Sequence, residues 1–442
     1  MSREFLLTRP IVVCATLLVA LVGSLFGGAA VQVQAGSPRQ ASDEATLRVA
    51  MPAPDTLDPI RVSRFDRSAR DLVENLTVGL TRFDPLTQTI EPAAAESWTV
   101  SSDGLTWTFT LRDDLQWVRY DDEADQVVAV RPLVAGDFVY SAQRACDPLR
   151  PSPLPANLMT IRGCQTVAQA FPEVVNDLFI AREIGIRATS PTTLEIELLF
   201  PTSYFLTLTS TMDYRPIPRE QASVSDEWWA DPGVMTTGPF ALASLSSSGA
   251  TLVLNPAWPL SFAGNVSAVD MTFADAPAPS ADYDWVPLEG DHLAAARAAN
   301  AELVHSAPAG PVVVLGFSHD RAVVDREAGR QALSLAIDRA ALVQSLPLND
   351  ARPLEQFAPS GNVAQPAFEG MTFDPARAQQ ALTEAELEGC SAIPETLLVL
   401  VPDDDPVWDQ LGRAVVDQWA ANLGCNPALF EVRALPRTLM IE

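Results

Sequence analysis

The sequence predicts an α/β protein of more than one domain, and three observations carry that reading. Residues 105–112 alternate: Leu105, Trp107, Phe109 and Leu111 fall on one side, Thr106, Thr108, Thr110 and Arg112 on the other. That is the pattern of a strand with one buried face. Residues 396–401 (TLLVLV) are apolar throughout, as a strand covered on both faces should be. A helical stripe of Trp408, Leu411, Val415 and Trp419 follows, then a strand over 429–435, giving a β-α-β unit. The third observation is length. Setting aside residues 1–35 leaves 407 of the 442, too many for one core and enough for two or three.

Residues 1–35 are set aside because they read as an export signal. Arg3 and Arg9 precede an apolar run over 11–31, and Val33-Gln34-Ala35 offers a small-residue cleavage site. The run is also nearly long enough to cross a bilayer, so an uncleaved anchor is the alternative. Residues 36–45 form a polar linker.

The remaining elements follow in order. A short strand over 46–51 leads into the loop APDTLDP, and Ala69, Leu72, Val73 and Leu76 mark a helix over 66–76 that Gly79 can end. Strands continue to Arg112, with a tight turn at Ser101-Ser102-Asp103-Gly104 where Gly104 supplies a positive φ. After an acidic insert, a helix starts at Gly136-Asp137, its carboxylate at the favourable end of the helix dipole. A loop is expected to 176. Strands over 184–188 and 194–198 flank a turn at Thr189-Ser190-Pro191-Thr192, a helix covers 203–212, and a strand pair spans 241–255. Further on come a strand over 312–317 (PVVVLGF ends here), a helix from Asp325 to Leu346, and a helix opened by Asp374-Pro375. Asp405-Pro406 opens the helix of the β-α-β unit.

Charge and cysteines narrow the classes. The net charge is −27, and all 29 basic residues are Arg. Such a surface repels nucleic-acid phosphates and anionic lipids. Beyond the leader stand Cys146, Cys164, Cys390 and Cys425, an even number in an exported chain. Three pairings are possible, and local geometry favours one. Cys146 and Cys164 flank a Pro-rich loop; Cys390 and Cys425 bracket the strand–helix unit. Each bridge should contribute about 2–4 kcal/mol.

No catalytic constellation is present. His292, His305 and His319 sit in no metal-ligand spacing, there is no G-x-S-x-G elbow, and Asp122-Glu123-Ala124-Asp125 lacks the Lys a phosphate loop needs. Asp403-Asp404-Asp405 lacks the spacing of a calcium loop and reads as a solvated loop ending in a helix cap. The chain is expected to be no enzyme, with no metal and no cofactor. Trp98 and Trp107 read as packing residues, while Trp228-Trp229 has no assigned place.

Three blocks carry a resemblance. LTRFDPLTQTIEPAAAESWTVSSDGLTWTFTLRDDLQW with RPLVAGDFVYSAQR, then TGPF with the following L.L.NP.W run, then REAGRQALSLAIDRAALV stand in an order that resembles the extracytoplasmic solute-binding proteins of the peptide/nickel (family 5) ABC importers. The resemblance covers nearly all of 46–435. It implies a periplasmic-binding-protein-like (type II, cluster C) two-lobe fold with an extra small subdomain. Lobe I would comprise 46–82 and 184–284, the accessory subdomain 83–183, and lobe II 285–442. It implies an exported monomer that closes on a small solute, a peptide above all, and delivers it to ABC permease subunits, with no nucleic-acid partner. A membrane-tethered or degenerate surface protein is the alternative. By motif, the ligand-facing residues would be Leu57, Asp58 and Pro59 of the TLDP loop, Tyr214, and Gly316 with Phe317. Relatives continue with a "GW.ADY.DP"-like segment that carries an acidic anchor for the ligand amine. This sequence is expected to lack it, leaving the last segment missing, lobe II incomplete and some apolar surface exposed.

Overall fold

The computed structural model describes residues 45–436, apart from 64–65, 86, 151–155, 261–263, 276–280, 289, 306–311, 320, 322, 347–350, 356–369, 386–389, 391–392, 394–395 and 404–405. The export signal, the linker up to residue 44 and the Asp405 cap lie outside the described residues. Contacts divide the chain into two units. The first holds residues up to 48 and 53–272; the second holds 49–52 and everything from 273.

In the first unit, β1 (Ala45–Met51) leads by the TLDP loop to α1 (Arg67–Leu76). Asp66 caps α1 by accepting from Ala69 N at 2.8 Å, and the helix stops at Thr77 rather than Gly79. Two short strands, β2 (Thr81–Asp84) and β3 (Thr89–Pro92), pair with each other. β4 (Ala95–Val100) and β5 (Thr106–Leu111) form the expected hairpin, with Gly104 at φ 74° in its turn. An Ala there would be forced into the left-handed region that side chains with a Cβ resist. Trp107, Phe109 and Leu111 are buried, and Thr110 is exposed, as the alternation requires.

The acidic insert is a second hairpin, β6 (Gln116–Asp121) and β7 (Gln126–Pro132). Its turn places Asp125 at φ 52°, a conformation Asp tolerates better than most residues. α2 (Ala135–Cys146) follows. The predicted loop to 176 contains a 3-10 turn at Ala156–Thr160 and α3 (Cys164–Ala168), and Asn176 caps α4 (Asp177–Glu183). β8 (Ile186–Ser190) and β9 (Thr193–Glu197) complete a sheet in the order β4-β5-β9-β8.

The helix expected over 203–212 shrinks to α5 (Phe205–Leu208) and a 3-10 turn at Met212–Tyr214. Thr209 and Thr211 donate their hydroxyls to the carbonyls of Leu206 and Leu208, at 2.8 and 2.7 Å. Such local bonds compete with the helical ladder. After α6 (Arg219–Ala222), β10 (Phe240–Ser246), β11 (Gly249–Leu254) and β12 (Val266–Phe273) build a second sheet in the order β1-β12-β11-β10. The core of this unit centres on Phe109, Trp117, Leu158, Ile196 and Phe205, all fully buried. Trp107, Phe109, Phe205 and Tyr214 meet at centroid distances of 5.4–6.4 Å. Each such pair adds about 0.5–1.5 kcal/mol beyond area burial.

The second unit contains α7 (Gly290–Asn300), α8 (Glu327–Leu335), α9 (Arg339–Ser345), α10 (Pro375–Glu384), β13 (Leu397–Pro402), α11 (Pro406–Leu423) and β14 (Phe430–Leu435). Here three expectations change. The single helix over 325–346 is two, because Asp338 caps α9 (to Ala341 N, 3.0 Å) while its own N–H goes to Gln418 Oε1 at 2.6 Å. Residues 312–317 form no strand among the described residues; Val313, Val314 and Leu315 have no ladder partner and stand exposed.

β13 and β14 pair in parallel, as the β-α-β reading requires, but β13 is covered on one face only. Leu397, Val399 and Val401 lie against α11, whereas Leu398 and Leu400 are 49% and 41% exposed. Gly412 lets α11 sit close on the strands, since a Cβ there would come within 2.9 Å of Val401 and Val432 methyls. Both disulfides form as the local geometry suggested, Cys146–Cys164 in the first unit and Cys390–Cys425 in the second. Among the described residues no helix is long and apolar enough to cross a membrane.

Candidate functional site

The TLDP loop turns on Asp58. Its carbonyl accepts from Arg61 N and Val62 N, and Oδ1 accepts from Ile60 N at 3.3 Å, so carboxylate and backbone together close the turn. Leu57, Asp58, Pro59 and Ile60 are all buried. Asp58 itself has no exposed surface. Its Oδ2 accepts from Arg144 Nη1 at 2.7 Å and from Trp228 Nε1 at 3.2 Å.

Arg144, in the last turn of α2, is equally enclosed and reaches outward to Asp226 at 3.2 Å. Asp226 is half exposed and also receives Arg61 at 3.3 Å and Arg150 at 3.8 Å. A buried pair thus continues into a network that surfaces at Asp226. Removing one member of a buried pair leaves an uncompensated charge, at about 3–5 kcal/mol. This network places Trp228, which the sequence left unassigned. The signal was there in LDP and in the Arg that ends the DFVYSAQR helix, but nothing in one sequence ties them together.

Asp226 borders an open depression of about 480 Å³, with Asp147, Leu149, Arg150 and Ser223 in its lining. A neighbouring depression of about 640 Å³ lies over the start of α2, lined by Arg131, Val134, Gly136, Arg219 and Glu220. Both are open, and neither is lined by any of the six residues expected to face a ligand.

Tyr214 is buried in the aromatic core. Its hydroxyl donates to Asn157 O at 3.2 Å beside Thr160 Oγ1, and burial pushes its pKa up. The adjacent Arg215 is buried too and donates to the carbonyl and hydroxyl of Thr77, the residue that ends α1. Burial lowers its pKa to about 10. A cation at a helix C-terminus is favourably placed.

Gly316 and Phe317 lie in the second unit. Gly316 is exposed, and an added Cβ would meet nothing within 4 Å. Phe317 is half-buried and packs on the core of that unit. The six candidates therefore form two groups with different surroundings. Leu57, Asp58, Pro59 and Tyr214 are enclosed in the first unit, and Gly316 is open to solvent with Phe317 anchored beside it. No three His, Cys, Asp or Glu side chains converge as a metal site requires among the described residues.

The model for the bacterial extracellular solute-binding proteins, family 5 (middle region), matches residues 89–434, most of the chain and parts of both units. The chain belongs to that family. Family 5 relatives include the oligopeptide-binding protein OppA of Bacillus subtilis, 25% identical over 370 residues, covering 79% of this chain and 64% of OppA. The periplasmic murein peptide-binding protein MppA of Escherichia coli is 25% identical over 449 residues, covering 95% of this chain and 76% of MppA. The chain thus spans less than two thirds of the B. subtilis protein. The unliganded open form of MppA matches in structure with a TM-score of 0.65 at 22% identity, over 91% of this chain and 76% of that one. The likeness in fold is that of a two-lobe periplasmic binding protein.

Proposed function

We propose that this chain is an exported solute-binding protein that captures a peptide, or a similar small solute, and hands it to the permease of an ABC importer. The family match over residues 89–434 carries the reading, supported by relatives named as oligopeptide-binding and murein peptide-binding proteins. Capture would follow the two-state logic of such folds, in which the ligand binds the closed arrangement better and selects it.

Within this reading the six residues divide their roles. Gly316, with no side chain in the way, and Phe317 beside it offer main-chain groups and an aromatic face to a ligand. Leu57, Asp58 and Pro59 act through the shape of their loop, and Tyr214 through the aromatic core it packs in. The acidic chain favours cationic or zwitterionic solutes over anionic ones.

A thermal-shift screen of the purified chain against di- to pentapeptides, sugars and metal chelates tests the proposal. A ligand at 100 times its Kd stabilises by about 2.7 kcal/mol. Peptides should raise the melting temperature while sugars and chelates leave it unchanged. A flat response to every peptide contradicts the reading.

A further inference from the structure

The chain crosses between its two units at β1 and again between Thr272 and Phe273, and the β1 crossing is fastened on both sides. Residues 49–52 belong to the second unit: Ala50 N donates to Trp285 O at 3.2 Å, Met51 O accepts from Ala274 N at 2.9 Å, and Val49 bridges Trp285 in parallel. The chain re-enters the first unit at Ala53. Residues 53–57 then run to Asp58, where the chain meets a fully buried partner set. Arg144 and Trp228 both bind one carboxylate oxygen, Ile60 N binds the other, and neither charged side chain is more than 2% exposed. Between the two fastenings, Asp55 N donates to Asp66 Oδ2 at 2.9 Å and Asp58 N to Thr56 Oγ1 at 3.1 Å.

A buried ion pair is weak evidence of stability for its own sake, because desolvation offsets much of the attraction. Its better-attested use is to fix one arrangement against alternatives. Asp58 is placed where such fixing has a mechanical consequence, since it shortens the free chain at one of the crossings between the units. Asp226 sits on the outer side of the same arginine, so the fastening also ties α2 to the segment that carries Trp228.

We propose that Asp58 is a positioning residue: paired with Arg144, it fastens the β1 crossing to the first unit, keeps the link short, and so limits how freely the units move during ligand capture. The part concerning capture rests on the function proposed above. The fastening itself does not.

The test uses the ligand-free full chain, by hydrogen-exchange mass spectrometry and small-angle X-ray scattering, on the wild type, D58N, D58E and W228F. W228F removes one bond to Asp58 and keeps both charges, so it decides the matter if D58N fails to fold. Expected in D58N is exchange over residues 50–62 faster by about 10-fold or more, with the amides of β5 and β9 unchanged, as local opening requires. W228F should show a smaller increase confined to the same residues, and D58E should recover most of the protection. The scattering of D58N should broaden toward larger dimensions. Unchanged exchange over 50–62 overturns the proposal. So does acceleration spread equally through β5 and β9, which marks general destabilisation, and so does loosened exchange with unchanged scattering, which marks a loop fixed without effect on the units. None of these readouts uses a ligand, so a chain that binds no peptide would refute the proposed function and leave this result standing.

Discussion

Asp137→Ala should be among the most damaging single changes in the first unit, and the structure lets its cost be worked out. Asp137 sits in the first turn of α2 with its side chain 6% exposed. One carboxylate oxygen accepts from Trp117 Nε1 at 2.9 Å, from Arg131 Nη1 at 2.9 Å and from Val134 N at 3.0 Å. The other accepts from Arg131 Nη2 at 2.8 Å. Trp117 has no exposure, so its indole N–H would be left without an acceptor, at about 1–3 kcal/mol. Loss of the bond to Val134 N at the helix start adds about 1 kcal/mol. Arg131 keeps Glu220, bound through Nε and Nη2, and remains a quarter exposed, which reduces its share to about 1 kcal/mol. The sum is about 3–5 kcal/mol. Urea unfolding followed by tryptophan fluorescence measures it. With a slope near 3 kcal/mol per molar, the midpoint of the first unit should fall by about 1–1.7 M. A fall below about 0.3 M would refute the claim that this carboxylate holds α2, β7 and Trp117 together.

Other outcomes follow from the same structure. Replacing Cys146 and Cys164 by Ser frees an 18-residue loop and should cost about 3 kcal/mol, while opening Cys390–Cys425, 35 residues apart, should cost about 4 kcal/mol; separate melting transitions read by calorimetry check both. Asp213 is pushed above the usual carboxylate range by burial, with Asn157 Nδ2 donating to it at 2.6 Å. A raised folded-state pKa gives stability that is present at acid pH and lost as pH rises through it. D213N removes that dependence, so its stability relative to the wild type should be higher at pH 7 than near pH 4, measured by urea midpoints. A net charge of −27 makes self-repulsion a standing cost. Raising NaCl from 0.05 to 0.5 M should lift the melting temperature by about 2–4 °C, the equivalent of roughly 1 kcal/mol.

What the sequence disclosed depended on how local the cause was. The β4–β5 hairpin was legible because alternation and the Gly104 turn lie within one short stretch. The cap at Asp374 was legible for the same reason. The β6–β7 hairpin was hidden under its acidic turn, although the Val127-Val128-Ala129-Val130 run carried a strand signal. The break at Asp338 was hidden because the competing acceptor, Gln418, comes from a distant helix. Residues 396–401 read as buried on both faces because composition reports apolarity and cannot report which neighbours arrive. The candidate site shows the same limit. Asp58 read from the sequence as a ligand-facing residue, yet it is fully enclosed, and its partners Arg144 and Trp228 stand 86 and 170 residues away.

The central claim is solute capture, and native mass spectrometry of the chain purified from an exporting host addresses it most directly. The account predicts satellite masses matching bound peptides, lost after unfolding in denaturant and refolding, and restored when a di- to pentapeptide mixture is added back. A single bare mass before and after that cycle, unchanged by the mixture, would contradict it.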